Sequence, residues 1–221
     1  MTIFIIVYYI ALFCYLYNRV RDNKLYRAIN KYIMAFMYLG LAIYTFFTKY
    51  SFASYQPLLM VALLMAFFGD IFLVFDFGRG GDFFLAGNVG FIVYEQIVLV
   101  DHGHGLNEFY WTFIVAALIL CAFILGCKYR PDIFKLGKMR WPMTFYLSSI
   151  ITHGITGLAL IILMPGTSFA LMGLGSVLFM LSDMILTAYK FVFDNNKWLI
   201  RLNSLTYFTG ILLIVLATVY K

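Results

Sequence analysis

Three carboxylic acids interrupt runs that are otherwise apolar: Asp70 in FFGDIFLVF, Glu95 in FIVYEQIVLV and Asp183 in LFMLSDMILT. If those runs lie in a bilayer, each charge costs about 2.5–3.5 kcal/mol at the membrane centre even on a lenient scale. A carboxyl group avoids part of that cost by holding its proton, since desolvation favours the neutral form. A neutral carboxyl next to an ionised one is the pair that general acid–base chemistry requires. Asp70 lies 13 residues past Pro57, and Asp183 lies 15 past Ser168, each in the second half of its apolar run. At about 1.5 Å per residue both carboxyls sit roughly 20 Å along their helices. If the two helices face each other, Asp70 and Asp183 form a paired-carboxylate site. No lysine or arginine is expected deep enough in a span to neutralise either.

Other polar side chains fall on shared faces at helical spacing. Asn88, Phe91 and Glu95 form one stripe; Tyr146, Ser149, His153 and Thr156 a second; Ser176, Asp183 and Thr187 a third; Asn203 and Tyr207 a fourth. The stripes are expected to converge on a cavity, with Asn88, Glu95, Tyr146, Ser149, His153, Ser182, Thr187 and Tyr207 as its substrate-binding residues. Plainer roles exist for each. Ser, Thr, Asn and Tyr also join membrane helices by hydrogen bonds, His153 suits that structural role, and Glu95 could pair with Gln96 or Tyr94. For Asp70 and Asp183 the plainer role is a helix cap or snorkelling to the interface. DHGHG (101–105) brings Asp101, His102 and His104 close in sequence, a weak metal signal. Cys14, Cys121 and Cys127 have no metal-site spacing and read as apolar fillers. No metal or other cofactor is expected.

The elements that must position these groups are membrane helices. Of the 221 residues, 64% are hydrophobic and 12% charged, against about 25% charged in a soluble domain. Mean hydropathy is +0.92. Apolar runs long enough to cross a bilayer fall at about 2–18, 31–48, 57–75, 83–100, 109–127, 142–164, 168–189 and 203–220. The expected fold is therefore an all-α integral membrane protein of eight helices, a single domain over 1–221. The first run lacks a basic n-region and a cleavage site, so it reads as a retained helix. With eight spans, 14 of the 16 Lys and Arg residues share one side, with Lys49 and Lys221 opposite. The positive-inside rule places that side in the cytoplasm and both termini outside. The +6 charge is thus explained by topology, with no nucleic-acid partner. Pro57, Pro131, Pro142 and Pro165 sit near helix ends. DFGRGGD (76–82) reads as a tight turn between the third and fourth spans, since it lacks the GK[ST] of a phosphate loop. MAFFGDIFL aligns with LFMLSDMIL, Asp70 on Asp183, as a duplicated four-helix unit would produce.

FFGDIFL, FLAGNVGFIVYE and GSVLFMLSDMIL together resemble the YhhN family, eight-helix proteins that include the lysoplasmalogenases. The matching positions are Gly69–Asp70, then Phe84, Gly87 and Phe91, then Ser182–Asp183. The likeness spans nearly the whole chain. Glu95 stands where the family has His, and Ile211 where a Gln is expected after Tyr207. The resemblance implies hydrolysis of the vinyl ether of lysoplasmalogens, giving a fatty aldehyde and a glycerophospho-ethanolamine or -choline. Asp70 and Asp183 would be catalytic. Asp70 would be the proton donor, because Phe67, Phe68 and Phe72 flank it, while Ser182 and Thr187 would support an ionised Asp183. The partners implied are a lysophospholipid and the bilayer. Compactness and short loops point to a bacterial cell membrane.

Two other classes share these features. A proton-coupled transporter also carries buried acids and repeated units, but it needs broken helices at its site. A non-catalytic lipid-binding protein would tolerate Asp→Asn at both positions.

Overall fold

A computed structural model describes residues 1–20, 23–49, 55–130, 137–193 and 196–220; Arg21, Pro131, Lys135 and Lys221, and the side chain of Lys138, fall outside the described residues. The described residues are all-helical: α1 (Thr2–Arg19), α2 (Lys24–Lys49), α3 (Gln56–Phe72), α4 (Phe77–Asp101), a single turn α5 (Leu106–Phe109) leading into α6 (Trp111–Tyr129), a 3₁₀ turn (Gly137–Met139), α7 (Arg140–Leu163), α8 (Ser168–Phe191) and α9 (Lys197–Val219). Counting α5 and α6 as one span, seven helices are long and apolar enough to cross a membrane; α3, with 17 residues, is the shorter eighth. α1 and α6 present rows of exposed apolar side chains, among them Ile3, Ile6, Ile10 and Phe13 on α1 and Ile114, Leu118 and Leu125 on α6. In water such faces would drive aggregation; against lipid they are in their proper solvent. The fold is that of a multi-pass membrane protein.

The short α3 fixes where its acid sits. After Phe72 the chain turns, and Asp76 accepts hydrogen bonds from the backbone N–H of Gly78 (2.8 Å) and Arg79 (3.3 Å), capping α4. Phe77 is therefore already helical, and the turn expected over 76–82 is instead the first turns of α4. One of its glycines serves packing. A Cβ on Gly80 would lie 2.8 Å from the Cα and N of Leu73, so only glycine lets α4 start so close to the end of α3. Asp70 consequently stands in the last turn of α3, close to the end of the bundle that carries most of the basic residues.

The two halves repeat one neighbour pattern. α1, α2, α3 and α4 pack in series, as do α6, α7, α8 and α9, and the halves join through α4 on α7 and α2 on α9. The resemblance of α3 to α8 thus extends to their surroundings. Tyr38, on the helix before α3, donates to Asp70 (3.1 Å), and Tyr146, on the helix before α8, donates to Asp183.

Close backbone approach fixes the second half. A Cβ on Gly175 would lie 2.6 Å from the Gly210 carbonyl and 2.9 Å from the Ile214 nitrogen. Small residues let membrane helices meet in this way. Gly175→Ala is expected to lower the thermal midpoint in detergent, at a cost of about 1–3 kcal/mol from overpacking. Gly40→Ala, where an added Cβ meets nothing within 4 Å, is the control and should change little.

Candidate active site

Asp70 and Asp183 are both buried, 1% and 5% exposed, and both line a small chamber of about 40 Å³ between α1, α2, α3, α8 and α9. Its wall also includes Tyr15, Arg19, Lys31, Tyr189, Asn203 and Tyr207. That volume holds about one or two waters, and the lining is polar enough to bind them. Helices α3 and α8 are not close neighbours. The acids reach a common space because each lies on the inward face of its own half.

The two carboxyls have different company. Asp70 Oδ1 is 3.1 Å from Lys31 Nζ, and its Oδ2 accepts from Tyr207 (2.7 Å) and Tyr38 (3.1 Å). The expectation that no cation lies deep enough to pair with it is therefore corrected. α2 starts at Lys24, seven residues before the apolar run, so Lys31 stands two turns into the helix and is only 9% exposed. Among the described residues Asp183 has hydroxyl donors alone: Tyr146, and Ser182 Oγ at 3.3 Å. Asn203 Nδ2 donates to the Ser182 carbonyl (2.7 Å), which ties α9 to the backbone beside Asp183. Thr187, expected to support Asp183, instead turns its hydroxyl back to the Asp183 carbonyl (2.9 Å), an ordinary bond within the helix. The cation and the stronger donor set thus fall on Asp70, the reverse of the distribution expected from its phenylalanine neighbours.

Of the two tyrosines that donate to Asp70, Tyr207 makes the shorter hydrogen bond. Tyr207→Phe is expected to cost about 1.5–3 kcal/mol, the range for a hydrogen bond to a charged group. Tyr38→Phe should cost less. Thermal unfolding of the two purified variants gives the comparison.

The remaining polar residues form a second, separate cluster. Glu95 Oε1 accepts from Ser176 Oγ (2.5 Å) and lies 3.3 Å from His153 Nε2, while the His153 ring stacks on Phe91 at 4.9 Å. Asn88 Nδ2 donates to Ser149 Oγ (3.3 Å), which donates to the Tyr146 carbonyl (2.7 Å). Glu95 therefore pairs across helices, and Tyr94 donates to Gln56 (3.1 Å) instead. Asn88, Glu95, Ser149 and His153 do not line the chamber of the two Asp residues. They join α4, α7 and α8 deeper in the bundle, and Tyr146 is the link between the clusters. At DHGHG the side chains diverge. Asp101 accepts from Tyr55, His102 Nδ1 meets the Val98 carbonyl, and His104 Nδ1 meets Glu108. Among the described residues no group of three or more His, Cys, Asp or Glu is placed to hold a metal ion.

Among the larger spaces that adjoin the chamber, two differ in polarity. An apolar cavity of about 280 Å³ lies between α3, α4, α7 and α8; it shares Leu73, Phe84 and Leu186 with the chamber and also touches Tyr146. A polar vestibule of about 320 Å³ shares Arg19, Leu73, Leu186 and Tyr189 with it, and adds Arg27, Lys190 and Lys197. The acids stand where an apolar space meets a cationic one.

A family model described as the YhhN family matches residues 26–218. The chain belongs to the YhhN family. No curated protein and no solved structure matches it. In this YhhN protein the match covers α2 to α9 and leaves α1 outside. Yet α1 contributes Tyr15 and Arg19 to the chamber. Sequence reasoning missed Lys31, Tyr38, Arg19 and Tyr189. For Lys31 and Tyr38 a signal existed: they are seven residues apart, hence on one helical face, and a buried acid needs a counter-charge.

Proposed function

We propose that the protein is a membrane-embedded hydrolase that cleaves the vinyl ether of a lysoplasmalogen, releasing a fatty aldehyde and a glycerophospho-ethanolamine or -choline. Membership of the YhhN family supports this reading. The observation that carries it is the position of the acid chamber between an apolar cavity and a cationic vestibule. A lysoplasmalogen has its reactive bond between a single apolar tail and a phosphate head, and so needs that order of surroundings.

The mechanism follows from the unlike environments of the two acids. Asp183, with no Lys or Arg paired to it among the described residues, carries the proton and delivers it to the β-carbon of the vinyl ether. The C=C π pair forms the new C–H bond, and an oxocarbenium ion results. Asp70 is held as a carboxylate by Lys31, Tyr38 and Tyr207; it steadies this cation and takes a proton from the water that adds to it. The hemiacetal then gives its hydroxyl proton to Asp183, while Asp70 returns a proton to the departing glycerol oxygen. The C–O bond breaks, aldehyde and alcohol form, and both acids are reset. Glycosidases meet a similar transition state with the same two groups. The cell membrane of a bacterium, with the basic end inward, is the setting proposed.

Proton-coupled transport is the competing reading. α8 runs unbroken through Asp183, whereas transporter sites are typically formed by discontinuous helices. Purified protein in detergent should release aldehyde from lysoplasmalogen and none from the corresponding ester lysophospholipid. Absence of aldehyde would remove the hydrolase reading and leave transport or lipid binding.

A further inference from the structure

The cationic vestibule has a composition that topology does not require. Arg19, Arg27, Lys190 and Lys197 line it, and no Asp or Glu is among its described lining residues. Retention of basic loops on one side of a membrane needs positive charge near the helix ends, but not convergence on one cavity. Nor does it need an arginine whose Nε is shut off from solvent. Arg19 Nε is buried and has no hydrogen-bond partner among the described residues, while the guanidinium interacts with the Tyr189 hydroxyl. A buried donor with no acceptor is costly. Arg19 also faces three spaces at once: the vestibule, the acid chamber, and a third cavity of about 270 Å³ lined by Lys24, Arg27 and Lys31. Lys31 is already paired with Asp70; among the described residues no carboxylate pairs with Arg19, and its Nε is left to an outside ligand.

We propose that this vestibule binds a phosphodiester anion, with Arg19 as the residue that anchors it at the edge of the acid chamber. Arginine suits the task because its planar fork matches phosphate oxygens and is less strongly hydrated than an ammonium group. Arg27, Lys190 and Lys197 supply the surrounding field. The identification of that phosphodiester with a lysoplasmalogen head group rests on the reading above; the anion site itself does not. Held by Arg19, the phosphate is separated from the reactive bond only by the glycerol, so the anchor sets how deeply the vinyl ether enters between Asp70 and Asp183. Arg19 is thus a positioning residue, and it lies on the one long helix outside the family match.

The test uses the full chain, purified in detergent, with binding measured separately from turnover. Three probes distinguish the source of the phosphate: an ester lysophosphatidylethanolamine, the tail-free glycerophosphoethanolamine, and inorganic phosphate. Arg19→Gln is expected to weaken the lysophospholipid and the tail-free diester by about tenfold or more, the loss of one charge-assisted contact at 1.4 kcal/mol per decade. Arg19→Lys should recover part of the loss, and Arg79→Gln, an equal change of charge outside the vestibule, should cause none. Tight binding of the lysophospholipid alone assigns the site to a lipid-borne head group. Comparable binding of the tail-free diester makes it a site for the soluble product as well. In turnover, Arg19→Gln should raise KM for lysoplasmalogen and leave KM for an alkenylglycerol, which lacks the phosphate, unchanged. If no substrate yields aldehyde, the hydrolase reading fails while the binding result still decides this one. Should Arg19→Gln not fold, Arg27→Gln carries the same prediction. Unchanged affinity for every probe in the folded variant, or a loss matched by Arg79→Gln, overturns the proposal.

Discussion

Asp183→Asn is expected to lower aldehyde release by about 10²–10⁴-fold, the usual contribution of a positioned general acid, while the protein folds normally. The substitution keeps the volume, and the amide oxygen can still accept the hydrogen bond from Tyr146, while Ser182, which also donates to the Phe179 carbonyl, can accept from the amide nitrogen. No ion pair is lost, because Asp183 has none among the described residues. What disappears is the transferable proton. Steady-state turnover of lysoplasmalogen by the purified variant, set beside its thermal midpoint, separates the two effects. Near-normal turnover would show that Asp183 donates no proton, and a collapse of the midpoint would show that its role is structural.

Lys31→Met is expected to have the largest effect on stability. It strips the cation from Asp70, which is 1% exposed and 3.1 Å from Lys31 Nζ. Breaking a buried pair from one side costs about 3–5 kcal/mol, because the remaining charge is left uncompensated. Adding Asp70→Asn in the same chain removes that charge, and the double variant should regain most of the lost stability. Neither variant should turn over substrate. The double-mutant cycle therefore reports whether Asp70 is held as a carboxylate. If Lys31→Met alone leaves the midpoint unchanged, the ionised role assigned to Asp70 is wrong.

Much of this architecture was legible because a bilayer writes it into composition. A run of apolar residues about as long as the hydrocarbon core is thick has few alternatives to a helix, and all eight runs became helices. Boundaries were harder where charge or glycine enters a helix. Lys31 lies inside α2 because a long lysine can bury its stem and still reach an acid. Gly80 is glycine because α4 must pass within contact distance of Leu73. The acid pair was visible as two Asp residues expected at similar depth, and both line one chamber. Which acid has the cation was not visible, since flanking phenylalanines on the same helix say nothing of Lys31 and Tyr207, which arrive from α2 and α9. Helical spacing alone groups Glu95 and His153 with the Asp pair, because spacing fixes a face and not a height. Glu95 lies eleven residues beyond Phe84, about 16 Å along α4, and this separates the clusters.

The central claim is that an Asp-borne proton is added to carbon. It is tested most directly by running the reaction in D₂O with purified protein and lysoplasmalogen, and weighing the aldehyde by mass spectrometry. The account predicts a fatty aldehyde carrying a single deuterium on the carbon next to the carbonyl, formed by the wild type and lost with Asp183→Asn. No aldehyde above a protein-free blank, or an aldehyde with no deuterium at that carbon, would contradict it.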